Sequence, residues 1–411
     1  MPDNRGGLIR PRTAAGHYAR LLSPNVLSAA RVGLERDVTM RANRIANAVR
    51  VARRPGHTRM RGLIASPGGA LRWRAVPSPA PPGPLGALVR PIAVATCDAD
   101  RAMMLGRSIF PLPLHLGHEA VAEVVQIGAE VSGVRVGDRV VVPFQISCGQ
   151  CTACRRGHTA NCLSVPPTSM YGFGLSGGLW GGALADLMAV PFADAMLVGL
   201  PAGLAPTAAT GVADNICDAY RQIAPHLPGL LAADPDTQVL LVGRIDDKDP
   251  LTSATVLFAA LFARALGATH ISVVDARPAF QERAAALGFQ TLDPRHPRDW
   301  PVAALTVDAT GTPAGLRNVL RHTAPDGICT CVWSMHRRGN IPLQAGYMRN
   351  LTLHIGRSHI RSHIPDVLDL MVTGRFQPEL VTTNEASFDD APAALREHCY
   401  GDALKTILTT Q

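Results

Sequence analysis

Hydrophobic and polar positions follow two different patterns along this chain. Between Met60 and Pro143, short apolar runs alternate with turn residues, of which Val136-Gly137-Asp138 is the clearest example. Such spacing favours an antiparallel, barrel-like domain. The predicted strands are a pair within Met60–Val76 and the runs Ala87–Ala95, Glu119–Ile127 and Asp138–Pro143.

From about Leu204 onward, buried apolar runs alternate with helical segments. The predicted helices are Ala205–Tyr220, Ser253–Leu266, Ala279–Leu287 and, after Asn350, Pro365–Val372. The predicted strands are Gln238–Gly243, Ile271–Val274, Leu305–Asp308 and Ile328–Trp333. Strand–helix alternation of this kind is typical of a parallel, doubly wound sheet, so we predict a chain of the α/β class.

Length and composition fit a globular protein with more than one domain. The chain has 411 residues, of which 47% are hydrophobic and 18% are charged. This length allows two domains with substantial cores, and the composition is unlike that of a disordered chain. No apolar run reaches the ~18 residues of a membrane span, since Arg264 interrupts the most apolar run. We therefore expect no membrane partner.

The net charge of +8 is concentrated at the N-terminus. Residues 1–59 hold twelve arginines against three acidic residues, so the rest of the chain is close to neutral. No nucleic-acid partner is expected on this basis. We interpret residues 1–59 as a disordered extension. An organelle transit peptide and a nucleic-acid-binding arm are the alternatives for this segment.

Four of the nine cysteines occur at the spacing of a metal site. The segment SCGQCTACRRGHTANC follows the pattern C-x2-C-x2-C-x7-C. Four thiolates this close together can surround one Zn²⁺ tetrahedrally, and such a closed site is structural. The predicted ligands are Cys148, Cys151, Cys154 and Cys162. The other cysteines are scattered, which favours a reduced, cytoplasmic location over disulfides.

A second, partial set of ligands lies upstream of this lobe. Cys97 occurs in TCDADR, and His118 is followed by Glu119 in LGHEAV. A thiolate and an imidazole that do not complete a tetrahedron are typical of an open, catalytic zinc site. The alternatives are a cysteine buried as a small hydrophobic residue and a hydrogen-bonded core histidine.

The strand QVLLVG ends where a dinucleotide-binding turn would begin. Such a turn normally reads G-x-G-x-x-G, but only Gly243 is present, and a longer, acidic loop follows it. Thr252, Ser253 and the N–H groups of the next helix are the predicted phosphate contacts. Asp275 is the predicted ribose ligand and favours NAD, while Arg277 nearby keeps NADP as an alternative. A strand-end aspartate that caps a turn is the other interpretation of Asp275.

Taken in order, these segments resemble the zinc-dependent medium-chain dehydrogenases of the alcohol dehydrogenase superfamily. The matching pieces are Cys97, Gly117-His118-Glu119, the cysteine lobe, GDRVVVP, VADNICDAY around Asp214, VDATGTP and GDALKTIL. The resemblance implies a GroES-like β-barrel catalytic domain and a Rossmann nucleotide-binding domain. The predicted divisions are an N-terminal extension 1–59, a catalytic domain 60–214, a Rossmann domain 215–349 and a C-terminal return to the catalytic domain 350–411.

The resemblance also completes the predicted site. It implies that Asp214 is the third ligand of the catalytic zinc, with Glu119 beside the metal, and that Lys405 reaches the cofactor pyrophosphate. Two zinc ions per chain, NAD as cofactor and a homodimer or homotetramer are implied as well.

The implied function is the interconversion of a small alcohol and its aldehyde or ketone by hydride transfer with NAD(P). Ala99 departs from the family, which often has a hydroxyl residue there to relay the alcohol proton. Asp98, Asp100 or water would have to replace that hydroxyl. The alternatives are a retired dehydrogenase that acts as a binding or scaffold protein, and a related non-redox or dismutase zinc enzyme. We expect an enzyme, because a retired site has no physical need for an intact set of ligands.

Overall fold

Two large sheets and one small sheet organise the part of the chain that the structure describes. The computed structural model describes residues 58–108, 110, 112–174, 177–246, 249, 251–334 and 341–410. The predicted N-terminal extension, residues 1–59, lies outside the described residues apart from its last two.

The elements are numbered here in chain order. The strands are β1 Arg59–Ser66, β2 Ala70–Pro77, β3 Ala87–Ala95, β4 Leu114–His115, β5 Glu119–Ile127, β6 Arg139–Val142, β7 Met188–Val190, β8 Val198–Gly199, β9 Gln238–Val242, β10 His270–Val274, β11 Gln290–Leu292, β12 Ala303–Asp308, β13 Thr323–Cys331, β14 Thr352–Ile355, β15 Asn384–Ser387 and β16 Thr406–Thr409. The α-helices are α1 Asp98–Met104, α2 Thr152–Arg155, α3 Ala193–Met196, α4 Pro206–Ala209, α5 Asn215–Ile223, α6 Leu227–Ala233, α7 Ala254–Ala265, α8 Pro278–Ala286, α9 Pro313–His322, α10 Leu343–Tyr347, α11 Ile360–Val372 and α12 Ala391–Tyr400. None of these helices is long and apolar enough to cross a membrane.

Short, mostly antiparallel strands build the barrel-like part. The small sheet has the order β2-β1-β4, and the larger one has the order β15-β16-β3-β5-β6-β8, with β7 paired to β3. The late strand β16 pairs with β3, so that Ile407 lies opposite Ala95. This pairing brings Lys405 beside Thr96 and hence next to Cys97.

A parallel sheet of six strands forms the second part, in the order β11-β10-β9-β12-β13-β14. The chain enters at the central strand β9 and extends outward on both sides, which is the order of a doubly wound nucleotide-binding fold. Helix α7, which follows β9, is buried at ten of its twelve residues and lies inside the structure. The predicted α/β fold, a barrel-like part plus a parallel sheet, is therefore confirmed.

Two predicted helices have different limits in the structure. The segment Ala205–Tyr220 is not one helix. It is divided into α4, a 3-10 turn over Thr210–Ala213 and α5, with a backbone break at Asp214. Apolar periodicity continues across this break, so the sequence pattern does not reveal it. Helix α11 begins at Ile360, earlier than predicted, and therefore contains Pro365 in its interior, where the proline has no N–H to donate to the carbonyl four residues before it.

Candidate metal centres and nucleotide site

The four cysteines of the lobe converge on one point. Their sulfur atoms all lie within 4.8 Å of one another, in the set Cys148, Cys151, Cys154 and Cys162. Helix α2 begins between them, with Cys151 at its N-cap. Gly149 makes the turn that permits this arrangement. Its φ is 73°, and a Cβ atom there would lie 2.7 Å from the Cβ of Ala195.

Backbone amides of the lobe point at the sulfur atoms. Cys148 N–H donates to Cys162 Sγ, and Cys151 N–H donates to Cys148 Sγ, both at 3.4 Å. The N–H of Leu163 donates to Cys151 Sγ and is the main reason that the pKa of this thiol falls to about 6. Amide donors favour the thiolate form, which is the form that binds a metal. The donor set therefore fits a closed zinc site.

A second ligand group is buried between the barrel and the start of α5. It consists of one ligand atom each from Cys97, His118, Glu119 and Asp214, all within 4.8 Å of one another. Cys97 Sγ lies 3.1 Å and His118 Nε2 lies 3.3 Å from Asp214 Oδ2. His118 Nε2 is buried and has no hydrogen-bond partner among the described residues. A zinc ion held by Cys97, His118 and Asp214 would satisfy this nitrogen, so the group fits an open zinc site.

Local structure fixes two of these ligands. Cys97 is the N-cap of α1: its Sγ accepts from Ala99 N–H at 3.4 Å, while Asp100 Oδ2 accepts from Cys97 N–H at 2.8 Å. These reciprocal bonds form a capping box that orients the sulfur. Asp214 lies at the break before α5, with φ of −155° and ψ of −86°. The next residue, Asn215, donates from Nδ2 to Cys97 Sγ at 3.3 Å.

Lys405 lies next to this ligand group. Its Nζ donates to Glu119 Oε2 at 2.6 Å, to Asn215 Oδ1 at 2.8 Å and to the carbonyl of Thr96. Three acceptors use all three ammonium protons, so no donor is left for a pyrophosphate. Burial lowers the pKa of Lys405, but the charges of Glu119 and Cys97 outweigh burial and raise it overall. The structure thus places Lys405 as the counter-ion of Glu119.

An apolar cavity of about 340 Å³ opens onto Cys97 and Asp214. Its walls include the large side chains Phe110, Phe144, Met170, Phe173, Leu251 and Trp333. The Phe173 ring lies 4.8 Å from the ring of His118. This volume is at the lower end for small-molecule sites. The cavity can therefore hold a substrate next to the ligand group.

The sequence predicts phosphate contacts at the start of helix α7. In the structure, groups at this point donate hydrogen bonds to the side chain of Asp98. Asp98 Oδ1 accepts from Thr252 Oγ1 at 2.7 Å and from Ala254 N–H at 2.8 Å. Asp98 Oδ2 accepts from Thr255 N–H at 2.9 Å. The predicted contacts Thr252 and Ser253 do lie at this point. However, the donors around them are already used by a carboxylate.

The other predicted cofactor residues near this point, Gly243 and Asp275, are buried in contact with other groups of the protein. Asp275 is 1% exposed; its Oδ1 accepts from the N–H and Nε of Arg277, at 2.9 and 3.1 Å, and its Oδ2 accepts from Arg244 N–H at 3.1 Å. A Cβ atom on Gly243 would lie 2.6 Å from Asp275 Oδ2 and 2.9 Å from Ser253 Oγ. Side chains thus lie where a pyrophosphate approaches the first glycine. Ser253 Oγ and Arg277 Nη1 are buried there without a hydrogen-bond partner among the described residues, but a dinucleotide phosphate would reach the helix amides only if Asp98 were displaced.

Sequence reasoning missed three residues at the centre of these contacts. Asp98 was open to interpretation as a substitute proton relay, and nothing in the sequence pairs it with a helix more than 150 positions away. Asn215 had no signal beyond its position next to Asp214. His398 is buried, with Nε2 lying 3.0 Å from the carbonyl oxygen of Cys97 and 3.3 Å from Thr252 Oγ1. The sequence contains no hint of these contacts, because Ser253 is a favoured N-cap residue and only the structure shows that its side chain makes no capping bond.

Comparison with known proteins agrees with this architecture. Residues 83–202 match the family model of the alcohol dehydrogenase GroES-like domain. A Mycobacterium tuberculosis protein described as probable zinc-binding alcohol dehydrogenase Rv1895 is 29% identical over 342 residues, covering 81% of this chain and 83% of the relative. The glutathione-independent formaldehyde dehydrogenase of Pseudomonas aeruginosa is 27% identical over 399 residues, covering 85% and 97%. Alcohol dehydrogenase TADH from Thermus sp. ATN1 has a TM-score of 0.76 at 29% identity, covering 86% of this chain and 100% of that chain.

The two sheets, the two ligand groups and these matches agree on one class of protein. The chain is similar to the zinc-type alcohol dehydrogenases of the medium-chain dehydrogenase/reductase superfamily. The resemblance found in the sequence is therefore confirmed. These relatives support an oxidoreductase.

Proposed function

We propose that the chain is a zinc-dependent oxidoreductase that interconverts an alcohol and its aldehyde or ketone. The observation that supports this is the group Cys97, His118 and Asp214, of which two members line the wall of an apolar cavity. Relatives described as an alcohol dehydrogenase and a formaldehyde dehydrogenase support the same substrate class. In this proposal the cysteine lobe holds a second, structural zinc ion.

Each residue of the open group has a separate task. Cys97, His118 and Asp214 would hold Zn²⁺ and leave one position for a substrate oxygen. One thiolate and one carboxylate balance the charge of the ion, and Lys405 balances Glu119. Zinc in this position supplies a Lewis acid that favours the alkoxide form of an alcohol and polarises a carbonyl group.

The aromatic walls orient the substrate and keep the ligands dry. The rings of Phe144 and Phe173 lie 5.6 and 4.8 Å from the ring of His118. The apolar carbon skeleton of a substrate would pack against these rings, which leaves its oxygen facing the ligand group. Water excluded by these rings would otherwise weaken the electrostatic interaction between metal and oxygen. We therefore expect small apolar or aromatic alcohols and aldehydes to be better substrates than charged ones.

The family implies NAD(P) as the partner in hydride transfer. The ligand groups fit zinc, whereas Asp98 and Asp275 already use the donors and the space that a pyrophosphate requires. We assign no hydride step to a dinucleotide for this reason, and NAD, with NADP as the alternative, stays a prediction. The homodimer or homotetramer and the cytoplasmic location also stay predictions.

Because Asp98 accepts hydrogen bonds from the first amides of α7, a second candidate function is favoured, namely aldehyde dismutation. In this reaction the hydrate of one aldehyde loses a hydride to a second aldehyde, and the products are one carboxylic acid and one alcohol. The two substrates oxidise and reduce each other. No dinucleotide has to exchange with solvent, which suits a closed nucleotide site.

The test is a substrate screen with zinc-loaded protein under three conditions: with NAD(H), with NADP(H) and without nucleotide. Turnover that requires a nucleotide supports the dehydrogenase, and equal yields of alcohol and acid without nucleotide support the dismutase. Cys97→Ala should remove one zinc ion and reduce turnover by at least about a hundredfold. Product analysis by NMR and metal analysis give both readouts.

The matched control is Cys329→Ala, which shortens a buried cysteine of β13 outside both ligand groups. It should keep both zinc ions and the activity. Absence of turnover under all three conditions, in protein with two zinc ions per chain, would contradict an enzymatic function and leave the binding or scaffold role.

A further inference from the structure

In a doubly wound nucleotide-binding fold, the pyrophosphate lies at the N-terminus of the helix that follows the first, central strand. In this chain that helix is α7, because β9 is the central strand and α7 follows it. The free N–H groups of such a helix, together with its dipole, normally attract the anion. The groups that accept from these N–H groups therefore affect whether a cofactor phosphate can bind there.

The contact is a carboxylate from another element. Both oxygens of Asp98 are used: two backbone amides, of Ala254 and Thr255, and the hydroxyl of Thr252 donate to them within 2.9 Å. Asp98 is 3% exposed, so water does not compete for these bonds. Helix α7 has no side-chain cap of its own, since Ser253 at its N-cap makes no such bond. An internal anion thus satisfies the helix in the way a pyrophosphate would.

The surroundings strengthen this assignment. Asp249 Oδ2 accepts from the N–H groups of Ile245 and Asp246, so a second internal carboxylate takes up loop amides after β9. Arg277, which could have met a nucleotide phosphate, is 5% exposed and donates to Asp275 and to the carbonyl of Thr252. Among the described residues, the amides of Ala254, Thr255, Ile245 and Asp246 are therefore committed to carboxylates of the protein, whereas Ser253 Oγ and Arg277 Nη1 are buried without a hydrogen-bond partner.

We propose that Asp98 is a built-in anion that replaces the dinucleotide pyrophosphate at α7, and that the chain therefore does not take up NAD(P) through the nucleotide site of its fold. Adding a pyrophosphate would bring two negative charges towards a buried carboxylate and require all three of its hydrogen bonds to break. The proposal goes beyond the zinc chemistry above and does not depend on it.

The first test uses the wild-type protein with verified zinc content. Calorimetric titration with NAD, NADH, NADP and NADPH, up to about 1 mM at the top of the usual KM range, should give no saturable binding. Mass spectrometry after denaturation should release no dinucleotide. Binding in the micromolar range, or a co-purified dinucleotide in stoichiometric amount, would overturn the proposal. Zinc content and nucleotide-free turnover are measured independently of these titrations, so the zinc chemistry and this proposal can fail separately. Turnover that requires NAD(P) in the substrate screen would overturn this proposal.

The second test asks whether Asp98 fills the phosphate position, with inorganic pyrophosphate as the probe. Asp98→Ala frees two amides at α7 and should bind pyrophosphate about tenfold or more tightly than the wild type. Asp194→Ala is the matched control, because Asp194 also accepts from two backbone amides, those of Ser132 and Gly133, but far from the nucleotide site. It should bind like the wild type.

Equal affinity for pyrophosphate in all three proteins would show that Asp98 does not occupy the anion position. Zinc content and circular dichroism establish that each variant is folded. If Asp98→Ala fails this check, Asp98→Asn takes its place, because it retains the size of the side chain and removes the charge and one of the two acceptor oxygens.

Discussion

Glu119 and Lys405 form an ion pair next to the open ligand group, with side chains that are 0% and 2% exposed. Removing two charges from water is costly, and their attraction offsets that cost only where further hydrogen bonds satisfy both groups. Asn215 and Thr96 provide these bonds to the ammonium. Lys405 therefore allows the carboxylate of Glu119 to be buried beside the metal ligands.

Replacing one member should be far more damaging than replacing both. Lys405→Met leaves the Glu119 carboxylate buried without a counter-ion, and we expect the free energy of unfolding to fall by about 3–5 kcal/mol. Adding Glu119→Gln removes the unpaired charge and should restore most of the loss. Urea unfolding of both variants is the measurement. A double variant as unstable as Lys405→Met alone would argue against an ionised pair.

Two short irregular segments help to position the ligands. The break between the 3-10 turn and α5 presents Asp214, and the turn around Gly149 closes the cysteine lobe. Both segments depend on local backbone geometry that a continuous helix or strand cannot provide. In the lobe, four ligands lie within fifteen residues, so a metal ion there stabilises one loop.

Disrupting the cysteine lobe should release its zinc ion, while the open ligand group should keep its own. Cys151→Ser removes a ligand that also caps α2, and we expect zinc content to fall by one ion per chain. Protease cleavage should then begin within residues 148–162. Gln150→Ala, an exposed residue of the same loop, is the control and should keep both ions. Retention of two zinc ions by Cys151→Ser would contradict the assignment of the lobe.

At the scale of the whole molecule, a surface formed by described residues combines a sheet edge with exposed apolar side chains. Strand β14 ends the six-stranded sheet, and its Ile355 is 56% exposed. The neighbouring helix α10 exposes Leu343 and Tyr347 at 72% and 82%, and Met348 follows at 74%. Exposed apolar side chains near an unpaired edge are typical of an interaction surface. The oligomer implied by the family resemblance would bury this surface.

We expect the wild-type protein to be a homodimer or homotetramer by light scattering coupled to gel filtration. Tyr347→Glu should shift it to a smaller species, because a buried charge without a partner opposes association. Val136→Glu is the control: Val136 is also an exposed apolar residue, at 61%, but it lies in a turn of the barrel part. A monomeric wild type, or equal effects of both substitutions, would contradict the prediction.

Much of the fold could be predicted because its signals are local. Strand–helix alternation after Leu204 predicts the parallel sheet, and the antiparallel part follows from short apolar runs with turns. The cysteine lobe could be predicted because its four cysteines are so close in sequence that their sulfur atoms can meet without help from distant segments. The domain divisions at residues 60–214, 215–349 and 350–411 and the roles of the site residues stay predictions.

The sequence alone therefore determined the α/β class, the close spacing of the cysteine lobe and the members of a second candidate ligand group. Only the tertiary structure decided what those residues contact. Lys405 pairs with Glu119, and Asp98 caps a helix that begins 156 positions later. Contacts between segments so far apart depend on how whole elements pack and leave no periodic signal. That packing places Asp98 at the start of α7, where the sequence predicts phosphate contacts.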